Sequence, residues 1–304
     1  MAQTYRNRII WGFTLVELMV GITISIIVIT IAVNIYISTK KSYNKAKLNT
    51  EQNIKIISAQ KVLSDAIINA GLSCKYGDDH QAYINRTGEN LQEFKFLYDA
   101  SSVRVGKISS IEGFLQQSLY TKQKFLYQPN TNYLMIKTDS SSSELTQKPL
   151  NLSLYLQDFQ QLQKGDYLAL CNNDYIDIVK VLKADNTTKA IKLVSAPTNE
   201  FNKGDYAGKI NIQIFYTAAV ATLKNPNEYT YSLYMFVKSG DNNAVTYPLV
   251  EGVSNLKLAY AILDKDKLSW KEILQDTNID QIDAKALKIS FQSNNQYYDK
   301  VVLI

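Results

Sequence analysis

The stretch GFTLVELMVGITISIIVITIAVNIYI, Gly12–Ile37, constrains this chain more than any other. From Phe13 to Ile37 it is apolar for 25 residues, broken by one acid, Glu17, and by Asn34 near its far end. A helix needs about 20 such residues to cross a bilayer. An h-region of a cleaved secretory signal runs only about 7–15 residues, so the segment reads as a membrane helix that stays with the protein. A carboxylate at membrane depth costs roughly 2.5–3.5 kcal/mol, so Glu17 calls for a partner or a task.

Charge follows the same division. Of the net +5, residues 1–12 hold +2 (Arg6, Arg8), Glu17 gives −1 and residues 38–70 give +4, so 71–304 is neutral. A neutral C-terminal part offers no electrostatic footprint for nucleic acid, and none is expected as a partner. The basic stretch after the span faces anionic lipid headgroups or neighbouring subunits. Basic residues flank both ends of the span, so charge alone does not choose its orientation. The short N-terminal segment favours a cytoplasmic N-terminus with the bulk exported.

From Ser38 onward the chain turns polar but stays helix-compatible. Ile56, Ala59, Leu63, Ala66, Ile67 and Ala70 recur at steps of three and four, giving one apolar stripe before Gly71, a candidate C-cap. The reading is one helix from Phe13 to Ala70. Alternation then takes over: Leu150, Leu152, Leu154 and Leu156; Ile210, Ile212 and Ile214; Leu256 and Leu258; Leu287, Ile289 and Phe291. Gln128-Pro129-Asn130, Asn225-Pro226-Asn227 and Ser239-Gly240-Asp241-Asn242 mark turns, and Ser140–Ser143 reads as a loop by composition. The fold class expected is α+β, a long N-terminal helix packed on an antiparallel β-rich head. Its divisions are 1–12, 13–37, 38–70 and 71–304.

The chain has two cysteines, Cys74 and Cys171, both in the part expected outside the cytoplasm. An even count in an oxidising compartment permits one disulfide, with two buried thiols as the alternative; a bond between them is the expectation.

Gly12-Phe13-Thr14-Leu15-Val16-Glu17, behind a basic leader and ahead of the apolar helix, resembles the prepilin signal of type IV pilins and pseudopilins. The resemblance implies cleavage between Gly12 and Phe13 by a prepilin peptidase, N-methylation of Phe13, and pairing of Glu17 with the N-terminal amine of a neighbouring subunit. Thr14-x-x-Glu17 is also a capping box, which by itself accounts neither for Gly12 nor for the leader and the span.

Further along, SYNKAKLNTEQNIKIISAQKVLSDAIINAGLSC, KGDYLALCNNDYIDIVKV, YPLVEGVSNLKLAYAI and AKALKISF are similar to segments of PilW-type minor pilins. The J-type pseudopilin of type II secretion shares the Glu251-Gly252-Val253 feature. A minor pilin of this kind would sit in the bacterial inner membrane by a single pass, head in the periplasm, and enter the pilus on assembly. Its partners would be the other minor pilins, the major pilin, the prepilin peptidase, the inner-membrane assembly platform and membrane lipid.

Catalysis finds little support. The single histidine, His80, lies in a polar loop sequence, and no glycine-rich phosphate loop, zinc-spaced Cys/His set or H-E-x-x-H occurs. Asn172, Asn173, Asp174 and Asp177 match no EF-hand and read as a solvated turn. Tyr231, Tyr234 and Phe236 read as sheet core. No catalytic residue, cofactor or metal is expected. A signal-anchored enzyme and an unprocessed adhesive ectodomain are the readings of other classes.

Overall fold

The computed structural model describes residues 14–74, 83–88, 95–99, 101–117, 125–158, 162–185, 187–220, 229–241, 244–265 and 267–304. Its long helix, α1, is Leu15–Ile68; α2 is Lys95–Tyr98 and α3 is Glu112–Gln117. The first strands are β1 (Ile84–Arg86), β2 (Val103–Lys107), β3 (Phe125–Tyr127), β4 (Asn132–Glu144), β5 (Ser153–Tyr155), β6 (Tyr167–Cys171), β7 (Ile176–Asp185) and β8 (Ala190–Leu193). They are followed by β9 (Tyr206–Val220), β10 (Ser232–Lys238), β11 (Ala244–Glu251), β12 (Val253–Asp264), β13 (Lys267–Glu272), β14 (Thr277–Asn278), β15 (Ala286–Ser293) and β16 (Gln296–Leu303). The architecture is α+β. The chain separates into two units, one ending at Ile54 and one beginning at Lys55.

In the first unit α1 is apolar on every side as far as Ile37 and polar beyond it, and an 18-residue window of the helix is long and apolar enough to cross a membrane, with none of that window buried. Three hydroxyls of the apolar stretch bond back to the helix itself. Thr23 Oγ1 donates to the Val20 carbonyl at 2.9 Å, Ser25 Oγ to Gly21 at 2.7 Å and Thr30 Oγ1 to Ile26 at 2.7 Å. These side chains therefore present no unsatisfied donor to an apolar surrounding.

In the second unit the helix becomes amphipathic. Ile56, Ala59, Leu63 and Ile67 are buried, while Ala66 and Ala70 are only partly covered. The helix stops at Ile68, short of the expected Ala70. Gly71 caps nothing; its N–H donates to the Lys137 carbonyl at 2.7 Å and it bridges to Thr138 of β4. It does so at φ +121, a conformation that glycine alone adopts freely.

Two sheets make up the rest. Among the described residues the larger has twelve strands, with a main path β14-β2-β4-β9-β6-β7-β8-β5, and the smaller has four, ordered β13-β12-β15-β16. The long β9 organises the larger sheet, with β4 and then β3 along one edge and β6 and then β10 along the other. All its pairings are antiparallel except β1 on β7.

Two strand expectations need correction. Ser140–Ser143 is no loop; Ser141, Ser142 and Ser143 continue β4 opposite Lys209, Gly208 and Ala207, after a bulge near Asp139. Backbone pairing to a central strand outweighs the poor strand propensity of serine. Conversely, the Leu150–Leu156 alternation yields only the three residues of β5. Asn151 takes a positive φ of 53 and turns the chain, leaving Leu150 exposed.

The helix stripe, Leu134 and Ile136 of β4, Phe215 of β9, and Leu258, Leu287, Ile289 and Phe291 of the small sheet share one core. On the opposite face of the large sheet, Phe96 and Leu97 of α2 and Leu115 of α3 cover Tyr133, Met135, Ile212 and Ile214. A third cluster fills the β5–β8 end.

Candidate functional site

At the N-terminal end of α1, Thr14 and Glu17 close a capping box. The Thr14 N–H and hydroxyl both donate to Glu17 Oε2 at 3.0 Å, and the Glu17 N–H donates to Thr14 Oγ1 at 3.3 Å. Two donors of the first turn that lack helical partners are thereby satisfied. Both bonds from Thr14 fall on one carboxylate oxygen, and among the described residues no basic group pairs with Glu17. The carboxylate keeps acceptor capacity for a group from outside the chain. Gly12 and Phe13 lie outside the described residues.

At the other end of the helix, three successive attachments fix the exit segment to the larger sheet. The Gly71 bridge is the first. Asp139 of β4 supplies the second, accepting from the Ser73 hydroxyl at 3.1 Å and the Ser73 N–H at 3.3 Å, and also from the Tyr206 hydroxyl. Third, Cys74 and Cys171 form a disulfide with Cα atoms 6.2 Å apart. Cys171 ends β6 and is fully buried, with Cys74 packed on the same core. In the chain-entropy model, closing a loop of 97 residues is worth about 4–5 kcal/mol.

The other residues weighed from the sequence have structural surroundings. Asn172 Oδ1 accepts from the N–H groups of Asp174 and Tyr175, forming an Asx turn. Asp177 is not part of that turn. It is fully buried in β7 and accepts from Thr198 N–H at 2.6 Å and Asn199 Nδ2 at 2.6 Å, so its oxygens hold a loop. No His, Cys, Asp and Glu side chains gather as a metal-holding group among the described residues. Tyr234 and Phe236 lie in the core, whereas Tyr231 precedes β10 and is half-buried. His80 lies outside the described residues.

Lys137 was not singled out from the sequence. It is fully buried in β4, where its ammonium stands 4.2 Å from the Tyr83 ring centroid and 5.1 Å from that of Phe96. It donates to the carbonyls of Asp99 and, at 3.4 Å, Leu97. Burial pushes its pKa down to about 7, against the opposing pull of Asp99 and Asp280. The clue is parity: Tyr133, Met135 and Lys137 share one face of a strand whose two faces are both covered.

No family model matches the chain, and no curated protein matches it.

Proposed function

We propose that this chain is a minor pilin of the PilW kind, a non-catalytic subunit that helps to initiate assembly of a type IV pilus. The observation that carries the reading is the Gly12-Phe13-Thr14-Leu15-Val16-Glu17 junction at the head of a bare apolar helix whose continuation docks on β-sheet. Cleavage after Gly12 frees an amine on Phe13 at the membrane boundary. In a low-dielectric setting an amine and a carboxylate are stable together and costly apart, so a subunit bearing Glu17 is drawn into register with its neighbour's N-terminus. The capping box is compatible with this role, because it engages one carboxylate oxygen and leaves the other. The Glu251-Gly252-Val253 turn also favours a second reading within the same class, a J-type pseudopilin of type II secretion. In both, the head is periplasmic, the helix lies in the inner membrane, and the partners are other pilin subunits and the assembly platform.

The test is Glu17→Gln. The amide preserves the capping hydrogen bonds, so insertion and N-terminal cleavage survive. Co-purification with minor-pilin partners and surface filaments are lost. Normal complexes and filaments from the variant would reduce Glu17 to a cap.

A further inference from the structure

The outer face of the small sheet carries a trough of about 710 Å³ that the assembly reading does not use. Register builds it. Glu272 on β13 stands opposite Ala259 on β12, which stands opposite Lys288 on β15. One row along, Lys257 faces Ser290, which faces Asp299 on β16. Alternation puts these side chains on the face away from Leu258, Ile289 and Val302, which are buried in the core. The rims are aromatic: Trp270 on β13 is 42% exposed and Tyr297 on β16 is 67% exposed. One end is walled by Asn130 and Asn132. That wall is fixed to β12, because Leu258 N–H donates to Asn132 Oδ1 at 2.9 Å and the Lys257 ammonium donates to the Asn130 carbonyl.

The lining is a specific mixture. Its cations are Lys107, Lys257 and Lys288, and its anions are Glu272 and Asp299; Lys271 contributes backbone only, since alternation turns its side chain to the other face. Lys288 is held between the Asp299 carboxylate at 3.9 Å and the Trp270 ring at 5.8 Å. The Lys107 ammonium has no partner among the described residues, and the three cations outnumber the two anions, so the trough carries net positive charge. Exposed aromatic faces at both rims suit a flat, C–H-bearing ligand. The carboxylates accept hydrogen bonds from hydroxyls, and the excess lysine charge pairs with anions. A polyphosphate fits poorly, since it brings no hydroxyl donors to Glu272 and Asp299 and only like charge against them. An apolar protein segment fits poorly as well, because the floor carries Lys257, Lys288 and Ser290.

We propose that this trough binds a linear acidic polysaccharide, its sugar faces on Trp270 and Tyr297, its hydroxyls on Glu272 and Asp299, and its carboxylates on the lysines. The proposal stands independently of the pilin reading.

Calorimetric titration of the detergent-solubilised full chain tests it, with oligogalacturonate, a neutral malto-oligosaccharide and oligothymidylate as probes. Saturable binding of oligogalacturonate that weakens with added salt is the expected result. Trp270→Ala and Tyr297→Ala each weaken it about tenfold, in proteins whose circular dichroism matches the parent. Tyr297→Ala is the safer variant for folding, given that ring's exposure. Absence of saturable binding would overturn the proposal, as would equal affinity in both variants, equal affinity for the neutral sugar, or tighter binding of oligothymidylate.

Discussion

The two halves of α1 obey different rules, although no break in the helix separates them. Up to Ile37 its large apolar residues point in every direction and none is buried. From Ile56 the apolar residues keep three- and four-residue spacing, and only that stripe is covered; Leu63 is fully buried while Ile57 stays exposed. A stripe specifies a partner on one side, which the two sheets supply. An apolar surface all the way round specifies an apolar surrounding, which in the assembly reading is first lipid and then other helices of the filament.

The same substitution in each half gives the sharpest contrast and the largest expected effect. Leu63→Asp puts an unpaired carboxylate in the core, a cost of several kcal/mol against a total stability of about 5–15 kcal/mol. Cooperative thermal unfolding of the β signal should disappear or fall steeply. Ile27→Asp should leave that transition unchanged and instead weaken membrane retention, by roughly 2.5–3.5 kcal/mol on insertion scales. Equal effects of the two on head melting would break the comparison.

Next in size is the tether. Reducing Cys74–Cys171 should lower the denaturation free energy of the head by about 2–5 kcal/mol without releasing the apolar half from membranes. An unchanged denaturant midpoint in reductant would show that the bridge adds no stability beyond the Gly71 and Ser73 attachments.

The smallest effect, taken per pH unit, concerns Lys137. Its pKa is lowered on folding from 10.5 to about 7, so between those values the unfolded chain binds more protons than the folded one. Stability therefore rises with pH across that window, by up to about 1.4 kcal/mol per unit, and the contribution is flat below it. Lys137→Met should remove this slope. A slope that persists in the variant would assign the dependence to other groups.

The helix, its stripe and the strands containing Ile210–Ile214 and Leu287–Phe291 were legible because each writes its period in the sequence. The β4 continuation through Ser141–Ser143 was not, because its reason is the partner strand β9. The Leu150 alternation misled because one positive φ at Asn151 breaks a run that composition cannot see broken. The N-terminal junction, a linear motif, rests on the sequence alone, since Gly12 and Phe13 lie outside the described residues. Lys137 and the trough depend on parity and register between distant strands; Trp270 and Tyr297 stand on opposite edge strands of one sheet.

The central claim is that the chain is processed as a prepilin, and the mass of its mature N-terminus tests it most directly. Protein extracted from membranes of its own host should begin at a methylated Phe13, and a Gly12→Val variant should remain full length. A wild-type N-terminus that keeps residues 1–12 would contradict the account.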